Sequence, residues 1–203
     1  DVESTPATPA AGQSVIFINT TTKALAYKND AGLVRSLGLV NFSTASQAPA
    51  AATRTYITGS NINIPAGALQ VGTIFRWTFS LTKTAAGVAA STFDIAFGTA
   101  GTTADTARVS FTKPAGTAVV DEGTIVINAI VRGPVGASGV VVGQFSMTHN
   151  LAATGHAVIP SVNVHTVSAA FDITTPTNIG VCITSGASDA VTFQLVMAEA
   201  FNL

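Results

Sequence analysis

Charge is scarce in this chain. Of its 203 residues only 9% are Asp, Glu, Lys or Arg, against roughly 25% in an ordinary soluble domain. The nine basic and ten acidic side chains are scattered and sum to a net charge of −1. No basic stripe exists to neutralise phosphates, so nucleic acid is not an expected partner. Long apolar runs are lacking as well. A membrane-spanning helix needs roughly 20 predominantly apolar residues in a row, whereas the most continuous stretches here, Val15 to Ile18 and Val140 to Val142, have only strand length. Membrane insertion is therefore not expected, despite a mean hydropathy of +0.48. A single cysteine, Cys182, excludes an intrachain disulfide, and its place in the apolar run Ile179 to Ile183 marks it as a small buried hydrophobe. The opening residues lack the charged region and apolar run of a secretory signal. The chain starts at Asp1 without an initiator Met, which leaves room for an anchor ahead of it.

What the chain has in quantity is Ala, Val, Ile, Thr and turn residues, with hydrophobic residues at 47%. Residues 1–13 (DVESTPATPAAGQ) read as a linker or arm, because Pro with Ser, Thr, Ala and Gly favours extended and turn conformations. Residues 14–39 read as a small N-terminal β-meander: Ser14 to Asn19, then Lys23 to Lys28, the turn Asn29-Asp-Ala-Gly32, and Leu33 to Leu37. Residues 40–55 lose periodicity and read as a second linker. From Tyr56 to Leu203 the pattern is one of longer strands. In Thr73 to Lys83, Phe75, Trp77, Phe79 and Leu81 point one way while Arg76, Thr78, Ser80 and Thr82 point the other. Further strands are expected at Thr92–Gly98, Arg108–Thr112, Thr124–Arg132, Val140–His149, Val162–Ile173, Asn178–Thr184 and Val191–Phe201, the last with Val191, Phe193, Leu195 and Met197 on one face. With the short Asn61–Ile64 segment and Gly-rich turns between them, these form an all-β, jelly-roll-like β-sandwich over 56–203.

Two features point to self-association. In Val15-Ile16-Phe17-Ile18 both alternating faces are apolar, and a unit below about 40 residues cannot usually cover both by itself. Other copies of the chain are the natural cover, which makes Val15, Ile16, Phe17, Ile18, Leu25 and Tyr27 the candidate oligomer-interface residues. The competing arrangement has the meander folding back on the sandwich. In Ile125 to Val131 only Asn128 interrupts two apolar faces, which fits an outer sheet packed against neighbouring subunits.

Catalytic chemistry is not evident. His149, His156 and His165 have no zinc-ligand spacing, although a histidine near a threefold axis would supply one ligand per subunit. Asp121 and Glu122 read as a solvated turn, Asp94 as the wet side of its strand, and Asp105 with Arg108 as a local loop ion pair. No nucleophile elbow, phosphate loop or dinucleotide fingerprint occurs. No catalytic residue, metal or cofactor is expected, and the chain is not expected to be an enzyme.

Residues 3–37, ESTPATPAAGQSVIFINTTTKALAYKNDAGLVRSL, resemble the Pro-Ala-Gly, strand and Lys-Asn-Asp-x-Gly hairpin segment that precedes the distal domain in many tailed-bacteriophage fibre and structural proteins. Residues 73–132 are similar to a module recurrent in phage virion proteins. The likeness is carried by Phe75-Arg-Trp77, Thr82-Lys-Thr-Ala-Ala-Gly87, Gly98-Thr-Ala-Gly-Thr-Thr-Ala-Asp-Thr-Ala-Arg108 and Val131-Arg132, and by the ending Ala198-Glu-Ala-Phe-Asn-Leu203. The resemblance implies a protein of the phage particle surface with a C-terminal jelly roll, trimeric, on head or tail, and it carries over no catalytic residue. The leading expectation is a homotrimeric capsid decoration or head-fibre protein whose partners are itself and other virion proteins. Next comes a tail-fibre or spike tip that binds a host-surface glycan. A capsule depolymerase ranks last.

Overall fold

The structure, a computed structural model, describes residues 6–19, 25–32, 34–36, 38–64, 68–188 and 190–203. Among them no helix occurs. Three strands, β1 (Ser14–Ile18), β2 (Leu25–Asn29) and β3 (Val34–Ser36), form an antiparallel sheet in that order. This is the expected meander. Its turn closes where the Gly32 amide donates to the Asn29 carbonyl at 2.9 Å.

The remaining strands build two facing sheets. They are β4 (Gly38–Ser43), β5 (Arg54–Tyr56), β6 (Ile62–Asn63), β7 (Ile74–Lys83), β8 (Ser91–Gly98), β9 (Thr106–Lys113), β10 (Asp121–Val131), β11 (Val141–His149), β12 (Ser161–Val167), β13 (Asn178–Thr184) and β14 (Val191–Phe201). One sheet has six strands in the order β12-β11-β10-β7-β14-β4; the other runs β5-β13-β8-β9, with β6 also paired to β13. The long strands are nested in sequence: β7 pairs with β14, β8 with β13, and β10 with β11, all antiparallel. Between them, β9 and β12 meet across the sheet edges, where Thr166 Oγ1 donates to the Ser110 carbonyl. Nested pairing of this kind is the winding of a jelly roll, so the expected jelly-roll-like sandwich is the fold present.

Alternation explains the core. Phe75, Trp77, Phe79 and Leu81 on β7 are all buried, and so are Ile125, Ile127, Ala129 and Val131 on β10. Aromatic rings knit the layers: Phe79 meets Phe193 at 5.5 Å between centroids, Phe93 meets Phe145 at 5.4 Å, and Phe97 meets Phe171 at 5.3 Å. Each buried Phe contributes about 1.5–3 kcal/mol of transfer free energy. Trp77 satisfies its one polar atom by donating from Nε1 to the Ser60 carbonyl at 2.7 Å.

Three expectations are corrected. Residues 40–55 are not a linker. Most of β4 and part of β5 lie there, and Gln47 bridges to Phe193. Short polar strands carry too little alternation to be read. Second, Val191, Phe193, Leu195 and Met197 do not share a face. A register shift between Phe193 and Leu195 leaves Gln194 unpaired against β7, so the inward set becomes Val191, Phe193, Val196, Ala198 and Ala200. Third, the strand expected over Val162–Ile173 stops at Val167, beyond which Phe171 makes an isolated bridge to Gly139.

Candidate functional site

In the meander ladder Val15 lies opposite Lys28, and Phe17 opposite Ala26; Ile16 lies opposite Tyr27, and Ile18 opposite Leu25. Directly opposed residues share a face, so the candidates divide into two sets. The chain's own arm is fastened beside the Val15–Phe17 face. Phe17 and Ala26 are buried there, Pro6 is buried above them in sequence, and Lys28 Nζ donates to the Pro6 carbonyl at 2.9 Å. The Gly12 amide fastens the arm's other end to Asp30 Oδ2 at 2.7 Å. The opposite face is open: Ile16 is 67% exposed and Ile18 37%, with Tyr27 half-buried beside them. The side chain of Leu25 lies outside the described residues. Phe17 and Ala26 are thus already buried within one chain, with Pro6 of the arm held beside them through Lys28. Among the described residues no ladder joins the meander to either sandwich sheet.

A buried polar cluster occupies one end of the sandwich. Asp121 is the first residue of β10 and buried, not part of a solvated turn; only Glu122 is exposed. The carboxylate of Asp121 accepts from His149 Nδ1 at 2.7 Å, from the His156 amide at 2.9 Å and from the Glu122 amide at 2.9 Å. Burial opposes its charge, but these hydrogen bonds together outweigh burial and hold the carboxyl below its ordinary value. The other ring nitrogen of His149 lies 2.6 Å from the Ile159 carbonyl. His156 stands 6.0 Å away, ring to ring, fully buried and, among the described residues, without a hydrogen-bond partner on either nitrogen. Burial, then the nearby Lys113, pushes its pKa down to about 4.

Two buried lysines complete the cluster. Lys83 Nζ donates to the carbonyls of Thr117 (2.7 Å) and Val119 (2.6 Å), and Lys113 Nζ to that of Pro114 (3.1 Å). Sequence reasoning missed this group, although a signal was present. Lys83 continues the inward phase of Phe79 and Leu81, Lys113 that of Val109 and Phe111, and Asp121 that of Gly123 and Ile125. Charged residues on the inward phase at strand ends must be paired. The cluster ties the loops 114–120 and 150–160 to the sheets. Among the described residues no group of three or more His, Cys, Asp or Glu could hold a metal. His165 lies apart, exposed on β12.

The outer side of the smaller sheet is covered by the chain itself. Asp94 is buried, not wet: Arg54 grips it through Nε at 2.9 Å and through its second nitrogen at 2.5 Å. Arg54 also donates to the Thr103 and Asp105 carbonyls, which draws loop 99–105 over the sheet. Asp105 does not pair with Arg108. It accepts from the Ala100 and Gly101 amides, while Arg108 lies 4.5 Å above the Phe171 ring. Cys182 is buried beneath this cover, where burial pushes its thiol up to about 12. Beside the loop, Tyr56, Ile57, Thr58, Asn61, Thr102 and Thr103 line a cleft of about 390 Å³.

No family model and no curated protein matches the chain. Among solved structures it is similar to the CBM2 module of an evolved Dit from Lactobacillus casei BL23 phage J-1. The identity is 9% and the TM-score 0.31, over 70% of this chain and 68% of that one. It is also similar to a legume lectin-like domain from Entamoeba histolytica, at 10% identity and TM-score 0.23, over 80% and 90% of the two chains. A β-fructofuranosidase from Schwanniomyces occidentalis aligns at 9% identity and TM-score 0.25, over 92% of this chain and 38% of that one. Scores of this size carry no function across.

Proposed function

We propose that this chain is a non-enzymatic structural protein of the tailed-phage particle surface, a homotrimer that decorates the capsid or forms a head fibre. The observation that carries the reading is the meander. Its arm is fastened beside one face, while Ile16 and Ile18 stay open to water on the other. Apolar surface left in water favours association, and three copies that turn these faces inward would bury them. The likeness of residues 3–37 and 73–132 to phage virion proteins supplies the setting. Purified protein at micromolar concentration should scatter light as a particle well above the 20.4 kDa of one chain. Ile16→Glu with Ile18→Glu should reduce that mass. A monomer before any substitution sinks the trimer, and antibody labelling confined to the tail tip sinks the decoration role.

The cleft beside loop 99–105 favours a second reading, a tail-fibre or spike tip that binds a host-surface glycan. Its wall carries the Tyr56 ring beside asparagine and threonine groups, the mixture that sugar recognition uses. On this reading excess protein blocks phage adsorption and Tyr56→Ala abolishes the block. Adsorption that proceeds unhindered removes it.

A further inference from the structure

We infer that the outer face of the six-stranded sheet is a second self-association surface, on which another copy of this chain stacks face to face and sets Arg76 against the partner's Glu199. This goes beyond the meander contact and does not depend on it.

The face is organised in rows. Val167, Val142, Ile130, Ile74 and Phe201 are successive ladder partners across β12, β11, β10, β7 and β14, so their side chains form one band on the outside of the sheet. Val167 is 49% exposed, Ile130 41% and Phe201 42%; Val142 and Ile74 are half-buried. Such a band is uncommon on a free surface, because outward positions of a sandwich are normally polar. The next row in the same phase is polar: His165, Gln144, Asn128, Arg76 and Glu199. Arg76 and Glu199 are direct neighbours of opposite sign, yet no ion pair or hydrogen bond involving either is present among the described residues. The third row brings Thr78 beside Met197, and Met197 beside the exposed Phe42.

Charge complementarity selects the occupant. A two-fold axis that runs along the strands between β7 and β14 exchanges those two strands between facing copies. Every row then meets itself: Ile74 lies over the partner's Phe201, Thr78 over the partner's Met197, and each Arg76 over the partner's Glu199. The face is therefore complementary to itself, apolar band to apolar band and cation to anion. Aligned sheets pack about 10 Å apart, within reach of an arginine and a glutamate that meet midway. The smaller sheet offers no equivalent surface, since loop 99–105 lies over it.

Sedimentation of the full chain, with melting curves as a fold control, separates the two contacts. With both in place the unsubstituted protein runs heavier than a trimer. Ile16→Glu with Ile18→Glu leaves a dimer held by the sandwich face, and Arg76→Glu leaves a trimer held by the meander. All three substitutions together give a monomer. In the dimer background Arg76→Glu, or Glu199→Arg, weakens association about tenfold or more, and the double exchange restores it. A foreign partner would not be restored that way. Phe201→Glu, at an exposed position, breaks the same contact by another route. The inference is overturned if the meander variant is monomeric, if Arg76→Glu leaves the mass unchanged, or if the double exchange fails to restore association. If Arg76→Glu alone yields a monomer, the meander reading fails and this one stands.

Discussion

His156 stays neutral in the fold because its ring is wholly buried and faces Lys113, Lys83 and His149 as well as Asp121. An unfolded chain takes up this proton near pH 6.5, whereas the folded ring resists it until about 4. The unfolded state thus binds more protons between those values. Stability is complete above pH 6.5 and falls as the pH drops toward 4, by about 3 kcal/mol at the low end. Asp121, held below its ordinary 3.8, adds stability that is present above that value and lost below it, so the two losses succeed each other on acidification. His156→Leu should flatten the melting temperature between pH 6.5 and 4; a slope unchanged by the substitution would show that another group sets it. Gly180 is legible in a different way. A Cβ there would run into the Tyr56 ring and hydroxyl, so glycine is what lets the tyrosine lie flat across β13. Gly180→Ala should cost about 1–3 kcal/mol, and a double-mutant cycle with Tyr56→Ala should recover most of it. Equal costs in both backgrounds would contradict that packing.

The element that best tests the sandwich is β14, because its bulge lets one strand turn Phe193 and then Val196 inward with two residues between them. Deleting Gln194, the residue left unpaired, makes the alternation regular without moving either half to the other face. The loss is its exposed bonds to Ser46 and Thr82, about 1 kcal/mol. Deleting Thr78 from the regular β7 instead turns either Phe79 and Leu81 or Phe75 and Trp77 outward, and that chain should not fold. Thermal melts of the two deletions, cooperative for the first and absent for the second, check the assignment. The same contrast explains what was readable. A strand with strict alternation, such as β7, can be placed from the sequence. Bulged β14 was half-read, because an unpaired residue changes the phase and leaves no mark in composition. Asp94 and Asp121 were misread as solvated because the groups that cover them, Arg54 and the loop around His156, are distant in sequence. The open meander face was legible in Ile16 and Ile18. Its closed counterpart was not, since the arm's packing depends on backbone contacts such as that of Lys28 with Pro6.

At the scale of the molecule, the boundary between meander and sandwich lies near Gly38, not at Tyr56. β4 finishes the edge of the six-stranded sheet along β14. The segment after it stitches the two sheets together: Asn41 Nδ2 donates to the Asn61 carbonyl at 2.7 Å, and the Gln47 side chain exchanges hydrogen bonds with the Thr58 backbone at 3.0 and 2.8 Å. Removing these residues would uncover β14, whose outward side chains include Phe201, and would take β5 from the edge of the smaller sheet as well. Bare strand edges recruit other chains. A chain cut to 38–203 should therefore stay soluble and melt cooperatively, since among the described residues no ladder joins the lost meander to the sandwich. One cut to 56–203, the boundary that periodicity alone marks, should aggregate or lose its cooperative transition. If the shorter chain melts like the longer one, β4 and its stitches contribute nothing to the sandwich, and the linker reading of 40–55 is restored.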